Sequence, residues 1–160
     1  MFGIHTIVHS TDFSCASAQA FGVAAALARD HRARLVLLHV AEEPALIDGT
    51  GLVPFDPGMY RSELWDKLRQ LAVRTHGVEV EAQLAEGNPV AAVLRVAEEI
   101  HGDLIVMATH GWTGLRRLLM GSVAEQIVRR AECPVLTMTA PFVATEPDAE
   151  AQPALAGAVG

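Results

Sequence analysis

Five short apolar runs rich in β-branched residues, separated by longer stretches with helical spacing, restrict this chain to few folds. The runs are Ile4–His9, Arg34–Val40, Val78–Ala85, Leu104–Ala108 and Val135–Thr139, and the spacing predicts helices over 14–30, 58–76, 89–101 and 121–131. Strand, helix and strand in repetition build a parallel sheet, because each return to the starting end needs a crossover, and the crossover helix covers a face. The fourth run, Leu104-Ile105-Val106-Met107-Ala108, is apolar on both faces, as a central parallel strand requires.

Local chemistry supports this division. Asn88-Pro89 sets a cap residue before a proline at the first helical position, where a missing N–H does no harm. Val90, Val93, Leu94, Ala97 and Ile100 then form a stripe toward the sheet. Ser122 and Glu125 have capping-box spacing ahead of Ile127 and Val128. Two stretches fall outside the alternation. Ala41–Asp56, with Gly49, Gly51 and Pro54, is a connection long enough to be functional or mobile. Residues 141–160, rich in Ala, Pro, Gly and acid without periodicity, are expected to be a disordered tail, leaving 1–140 as one domain.

Charge narrows the class of partner. The formal net charge is −7, and Lys67 is the only lysine among 12 Lys and Arg residues. A nucleic-acid partner would favour a concentrated basic surface, so none is expected. No uninterrupted apolar stretch approaches the roughly 20 residues needed to cross a bilayer, and Met1–His5 does not begin a signal peptide. Cys15 and Cys133 form neither a metal-binding spacing nor a disulfide framework. The expectation is a soluble cytoplasmic protein that does not bind membranes.

In an open α/β sheet, ligands bind beyond the carboxyl ends of the strands where strand order reverses. The segments that follow the first and fourth strands are therefore the informative ones: Ser10–Ser14 and Thr109–Ser122. The second carries Gly111, Gly114 and Gly121 and ends at a helix start, where the N–H groups of Ser122, Val123 and Ala124 would form an anion site. The plainer reading is a glycine turn followed by Ser122 as a helix cap, and a cap position is also a phosphate position. A Walker A loop is excluded, because no lysine lies in this segment. Any phosphate must be held mainly by backbone N–H groups and hydroxyls, and Arg116 and Arg117 read more naturally as a solvated basic patch.

Ser10-Thr11-Asp12-Phe13-Ser14, Leu37-Leu38-His39-Val40, Asp103–Gly111, Gly121-Ser122-Val123-Ala124-Glu125 and Cys133-Pro134-Val135-Leu136 occur in order across almost all of residues 1–140. This arrangement resembles the universal stress protein family of nucleotide-binding type. The resemblance implies a doubly wound, Rossmann-like five-stranded parallel sheet in the order 3-2-1-4-5 with helices on both faces. The family's binding motif, Gly, two residues, Gly, nine residues, Gly, then Ser or Thr, falls on Ala108, Gly111, Gly121 and Ser122. Ala108 thus stands where the family has glycine, and Ser10 where it has proline.

The implied ligand is ATP, or ADP or AMP, with Mg²⁺ as a companion ion. Asp12 would contact ribose or a metal-bridged phosphate, and Thr11 would support its loop. Val40 would meet adenine through its backbone, and Met107 would line the base or sugar pocket. Ala108, His110 and Gly111 would surround ribose and phosphate, and Gly121, Ser122 and Val123 would hold the phosphates. The family's final strands often pair across a two-fold axis, which implies a homodimer through Val135–Thr139, and an apolar edge strand is in any case a liability when uncovered.

Several of these residues also have a plainer reading. Asp12 is also a dipole-stabilised acid near a helix N-terminus. His9, His39 and His110 with Asp12 have the composition of a zinc site, although strand-end histidines satisfied by hydrogen bonds fit better. Cys15 fits a small half-buried residue better than a reactive thiol, and Trp65 fits the core. No general base is identifiable, which allows at most slow ATP hydrolysis. The competing function is an interaction dimer of the same fold that no longer binds nucleotide, as Ala108 would favour. An adenylating enzyme would need a substrate domain that the sequence lacks. The stress-response reading further implies a protein partner.

Overall fold

The computed structural model describes residues 3–42, 56–73, 75, 77–109 and 120–139. Within them the chain runs β1 (Thr6–Ser10), α1 (Cys15–His31), β2 (Arg34–Ala41), α2 (Pro57–Val73), β3 (Val80–Glu86), α3 (Pro89–Glu99), β4 (Leu104–Ala108), α4 (Ser122–Arg130) and β5 (Val135–Met138). The strands form one sheet in the order β3-β2-β1-β4-β5, and every neighbouring pair is parallel. The chain therefore winds outward from β1 to one edge, returns, and winds to the other. The reversal lies between β1 and β4.

Consecutive strand residues face opposite sides, so both sides must be apolar. On one side Ile7, Leu35, Leu37, Leu104 and Val106 pack with Ala20, Phe21, Ala24 and Ala28 of α1 and Leu68 of α2. On the other, Val8, Leu38, Val40, Ile105 and Met107 pack with Val90, Val93 and Val96 of α3 and Ala124 and Ile127 of α4. The alanines of α1 keep that helix close to the strands, and Trp65 of α2 adds a partly buried ring to the same core. Asp103, entering β4, accepts hydrogen bonds from the N–H groups of His5 at 2.8 Å and Thr6 at 2.9 Å. These bonds, His5's first, hold its carboxyl below the ordinary range.

The expected boundaries shift at several ends. β1 starts at Thr6, not Ile4, because pairing with β2 begins at Thr6 opposite Arg34. β3 starts at Val80, not Val78, since the left-handed Gly77 (φ 76°) has only just turned the chain. The helices also end earlier than their apolar patterns, α2 at Val73 and α3 at Glu99.

All five residues of the α3 stripe face the core, and the buried face is wider than the stripe. Ala92 and Val96 are buried beside Val90, Val93 and Ala97, while Leu94 and Ile100 are only half-buried. Lying against both the sheet and α4, the helix buries a broader face than a narrow stripe. Asn88 caps α3 as expected, its side chain accepting from the Ala91 N–H at 3.0 Å. The capping box at α4 does not form. Gly121 occupies the N-cap position, Ser122 is already helical, and Glu125 pairs with Arg129 at 2.9 Å. The connection at 43–55 and the tail from 140 onward lie outside the described residues. Among the described residues no helix is long and apolar enough to cross a membrane.

Candidate functional site

Beyond the carboxyl ends of β1 and β4 lies a cleft of about 500 Å³, well within the range of small-molecule sites, about 300–1,000 Å³. One wall begins where β1 ends. The Thr11 N–H donates to Leu38 O at 2.8 Å, which extends the ladder by one step before the chain turns. Two short bonds make the turn: Phe13 N–H to Thr11 Oγ1 at 3.0 Å and Ser14 N–H to an Asp12 carboxylate oxygen at 2.9 Å. Ser14 then caps α1 by accepting from the Ser17 N–H. The turn forces Phe13 into the left-handed region, φ 63°, at a cost of about 1–3 kcal/mol for a residue with a side chain. Its ring lies 4.4 Å from that of His39, centre to centre, with the Lys67 ammonium 5.8 Å away.

Two histidines hold this turn. His39 Nδ1–H donates to Thr11 O at 2.8 Å, and burial pushes its imidazole below the ordinary range. His9 is wholly buried, with Nδ1 3.0 Å from Val106 O and Nε2 3.5 Å from Ser17 Oγ. Burial pushes it down to about 4, so it is neutral near pH 7. Both histidines are thus satisfied strand-end residues, and among the described residues no group of three or more His, Cys, Asp or Glu side chains could hold a metal.

The opposite wall comes from β4 and α4. The Thr109 N–H donates to Met138 O, and Thr109 O accepts from the Gly121 N–H, each at 2.8 Å. That second bond draws the start of α4 back to the end of β4. Gly121 (φ −58°, ψ 150°) caps the helix without a side-chain bond, and its carbonyl accepts from Glu125 N–H. The N–H groups of Ser122, Val123 and Ala124 therefore have no acceptor within the helix, and they border the cleft.

Thr11, Asp12, Val40, Met107, Ala108, Gly121, Ser122 and Val123, all singled out from sequence, line this one cleft. His110 and Gly111 lie outside the described residues, as do Trp112, Gly114, Arg116 and Arg117. Ser17, Glu42 and Tyr60 also line the cleft, and none of them stands out in the sequence. Thr109 was legible as the first residue past β4. Ser17 lies on the inward face of the first turn of α1, a position that the capping serine fixes. Tyr60 follows the long connection, so no local signal places it near β1. Cys15 is exposed rather than half-buried, because it opens α1 on the solvent side.

A family model described as the universal stress protein family matches residues 3–138. A universal stress protein of Methanocaldococcus jannaschii is 34% identical over 142 residues, which cover 84% of this chain and 82% of the relative. A solved structure of a universal-stress-family protein from Burkholderia pseudomallei is 31% identical, with a TM-score of 0.65 over 84% of this chain and 96% of that one. A universal stress protein solved in complex with cAMP is 25% identical, with a TM-score of 0.65 over 86% and 98% of the two chains.

Proposed function

The chain belongs to the universal stress protein family, and from that premise we propose that its cleft binds ATP or a related adenine nucleotide in the cytoplasm, changing the state or partner of a stress-response protein. The observation that carries this reading is the meeting, at the sheet's reversal point, of three unsatisfied helix N–H groups with the Asp12 carboxylate across one ligand-sized cleft. N–H groups at a helix start favour phosphate, and a carboxylate favours sugar hydroxyls or a phosphate-bound cation. The neighbour solved with cAMP supports an adenine nucleotide as the ligand class.

Roles follow from position. Ser122 and Val123 hold phosphate through their N–H groups, and Gly121, whose own N–H is taken by Thr109 O, leaves it room; Ala108 and Met107 pack against the sugar; Val40, near the end of β2, meets the base. By the family's binding motif, not by any described position, His110 and Gly111 are assigned to ribose and phosphate as well. Mg²⁺ suits the oxygen donors here, the Asp12 carboxylate together with nucleotide phosphates, because this ion is usually held by one or two carboxylates plus substrate. The added methyl of Ala108 sits at the last residue of β4 on the cleft wall, a position that trims sugar space without removing a hydrogen-bonding group.

The test is to denature the purified chain, identify any released nucleotide, and titrate it calorimetrically with ATP, AMP and cAMP in the presence of Mg²⁺. Binding near one equivalent supports the reading. No released nucleotide and no heat at millimolar ligand would leave the alternative, an interaction dimer with an idle cleft. Dimerisation through β5 fits either case. Supporting it, β5 is a sheet edge with Leu136 37% exposed, and uncovered edges invite pairing.

A further inference from the structure

A second cavity, of about 490 Å³, lies at the opposite end of the sheet, where β4 and β5 begin. Both α3 and α4 finish there, contributing Leu94, Ala97 and Glu98 from one and Arg130 and Ala131 from the other. α3 closes with a paired cap: Gly102 N–H donates to Ala97 O at 2.8 Å, and His101 N–H donates to Glu98 O at 3.1 Å. This cap brings His101, in the left-handed region at φ 51°, to the cavity wall. Two helix C-termini, each the negative end of a dipole, thus meet the carboxylates of Glu98, Asp103 and Glu132. That combination favours a cation. Arg130 and His101 border the same space and favour an anion.

Neighbouring charges on the same helices are already matched, Arg95 with Glu99 and Arg129 with Glu125, each at 2.9 Å. Those on the cavity are not. Among the described residues, the side chains of Glu98, His101, Arg130 and Glu132 make no ion pair or hydrogen bond. Asp103 gives Oδ2 to the N–H groups of His5 and Thr6, while its Oδ1 accepts from no described donor. Opposite charges that face one cavity without meeting across it are satisfied together by a molecule that carries both. Leu94, Ala97 and Ile105 add an apolar surface for an aliphatic group. We propose that this cavity binds a small zwitterion, an α-amino acid with an aliphatic side chain. Its ammonium lies toward Asp103, Glu98 and Glu132, and its carboxylate toward Arg130 and His101. The proposal does not depend on the nucleotide reading, since no lining residue belongs to both cleft and cavity.

The full, isotope-labelled chain is titrated with L-leucine, with isoamylamine, which lacks the carboxylate, and with isocaproate, which lacks the ammonium. Amide shifts are followed by NMR. Leucine should move the Ala97, Gly102, Ile105 and Ala131 amides saturably, with a Kd of about 1 mM because solvent screens these charges. Each half-molecule should bind at least about tenfold more weakly. Glu98 and Arg130 are exposed, so substituting them leaves the fold intact. Arg130→Gln should weaken leucine several-fold and leave isoamylamine unchanged, whereas Glu98→Gln should weaken both. No saturable shift at about 20 mM leucine, or shifts confined to other residues, would overturn the site. Half-molecules that bind as tightly as leucine would overturn the zwitterion. Equal losses of leucine and isoamylamine in Arg130→Gln would overturn the carboxylate's placement.

Discussion

Lowering the pH from 7 to 5 sets the folded and unfolded chains apart at His9. In the unfolded chain the imidazole protonates at its ordinary 6.5, whereas burial holds it down to about 4 in the fold. Between those values the unfolded state binds a proton that the folded state does not, so stability falls as the pH falls. The contribution is complete above pH 6.5 and is lost progressively toward pH 4. At about 1.4 kcal/mol per pH unit, the loss between pH 7 and pH 5 is about 2 kcal/mol. That is a large part of the 5–15 kcal/mol, roughly, that holds a domain of this size.

Urea melts followed by circular dichroism at the two pH values measure it, on wild type and on His9→Asn. Asparagine keeps a donor for Val106 O but cannot titrate. It also leaves space beside Phe21, whose ring centre lies 5.4 Å from that of His9, at a cost of about 1–3 kcal/mol at both pH values. The quantity of interest is the difference between the two drops. With a urea slope of about 2 kcal/mol per molar, the wild-type midpoint should fall about 1 M further than that of the variant. His39, also pushed down by burial, adds the same sign in both proteins and cancels. Asp103 is held below 3.8 and loses its contribution only at lower pH. Asp12, whose charge opposes the lowering at His9, is common to both. Equal drops would refute the reasoning, because His9 would then be protonated in the fold or reached by water.

Other outcomes are checked more simply. Gly121→Val should fold normally, since φ −58° suits any residue, yet lose nucleotide affinity by at least about tenfold, about 1.4 kcal/mol, because the added side chain crowds phosphate at the neighbouring Ser122 and Val123 N–H groups; calorimetry and melting separate the two. Asn88→Ala removes the cap on Ala91 N–H and should cost about 1 kcal/mol, lowering Tm by about 4 °C. Leu136→Lys should convert the proposed dimer to a monomer in light scattering; a monomeric wild type would end the β5 interface.

Sequence reading reached the order and type of every described element, because apolar periodicity reports burial and both faces of this sheet are buried. It erred where neighbours outside the segment decide the result. Ser122 and Glu125 have capping-box spacing, but the bond from Gly121 N–H to Thr109 O fixes the chain one residue earlier. Ala92 and Val96 are buried because α3 faces α4 as well as the sheet. In the cleft, the residues directly after β1 and at the end of β4 were legible, since topology alone assigns them. Ser17 and Tyr60 were not. Their place depends on how α1 and α2 settle on the strands.

The reversal between β1 and β4 also has a consequence during synthesis. The bonds that join these strands link residues 98 and 97 positions apart, His5 with Asp103 and His9 with Val106. At ribosomal rates, about 5–20 residues per second, β1 waits about 5–20 s for its second neighbour. β2 can cover only one of its edges in that interval. The cleft does not exist until β4 has paired and α4 has been drawn back by Thr109, so it forms only after the chain has been made through α4. A ligand of this cleft stabilises chains in which β4 and α4 have docked and gives no help to shorter nascent ones, which makes binding a report that the two halves of the sheet have joined.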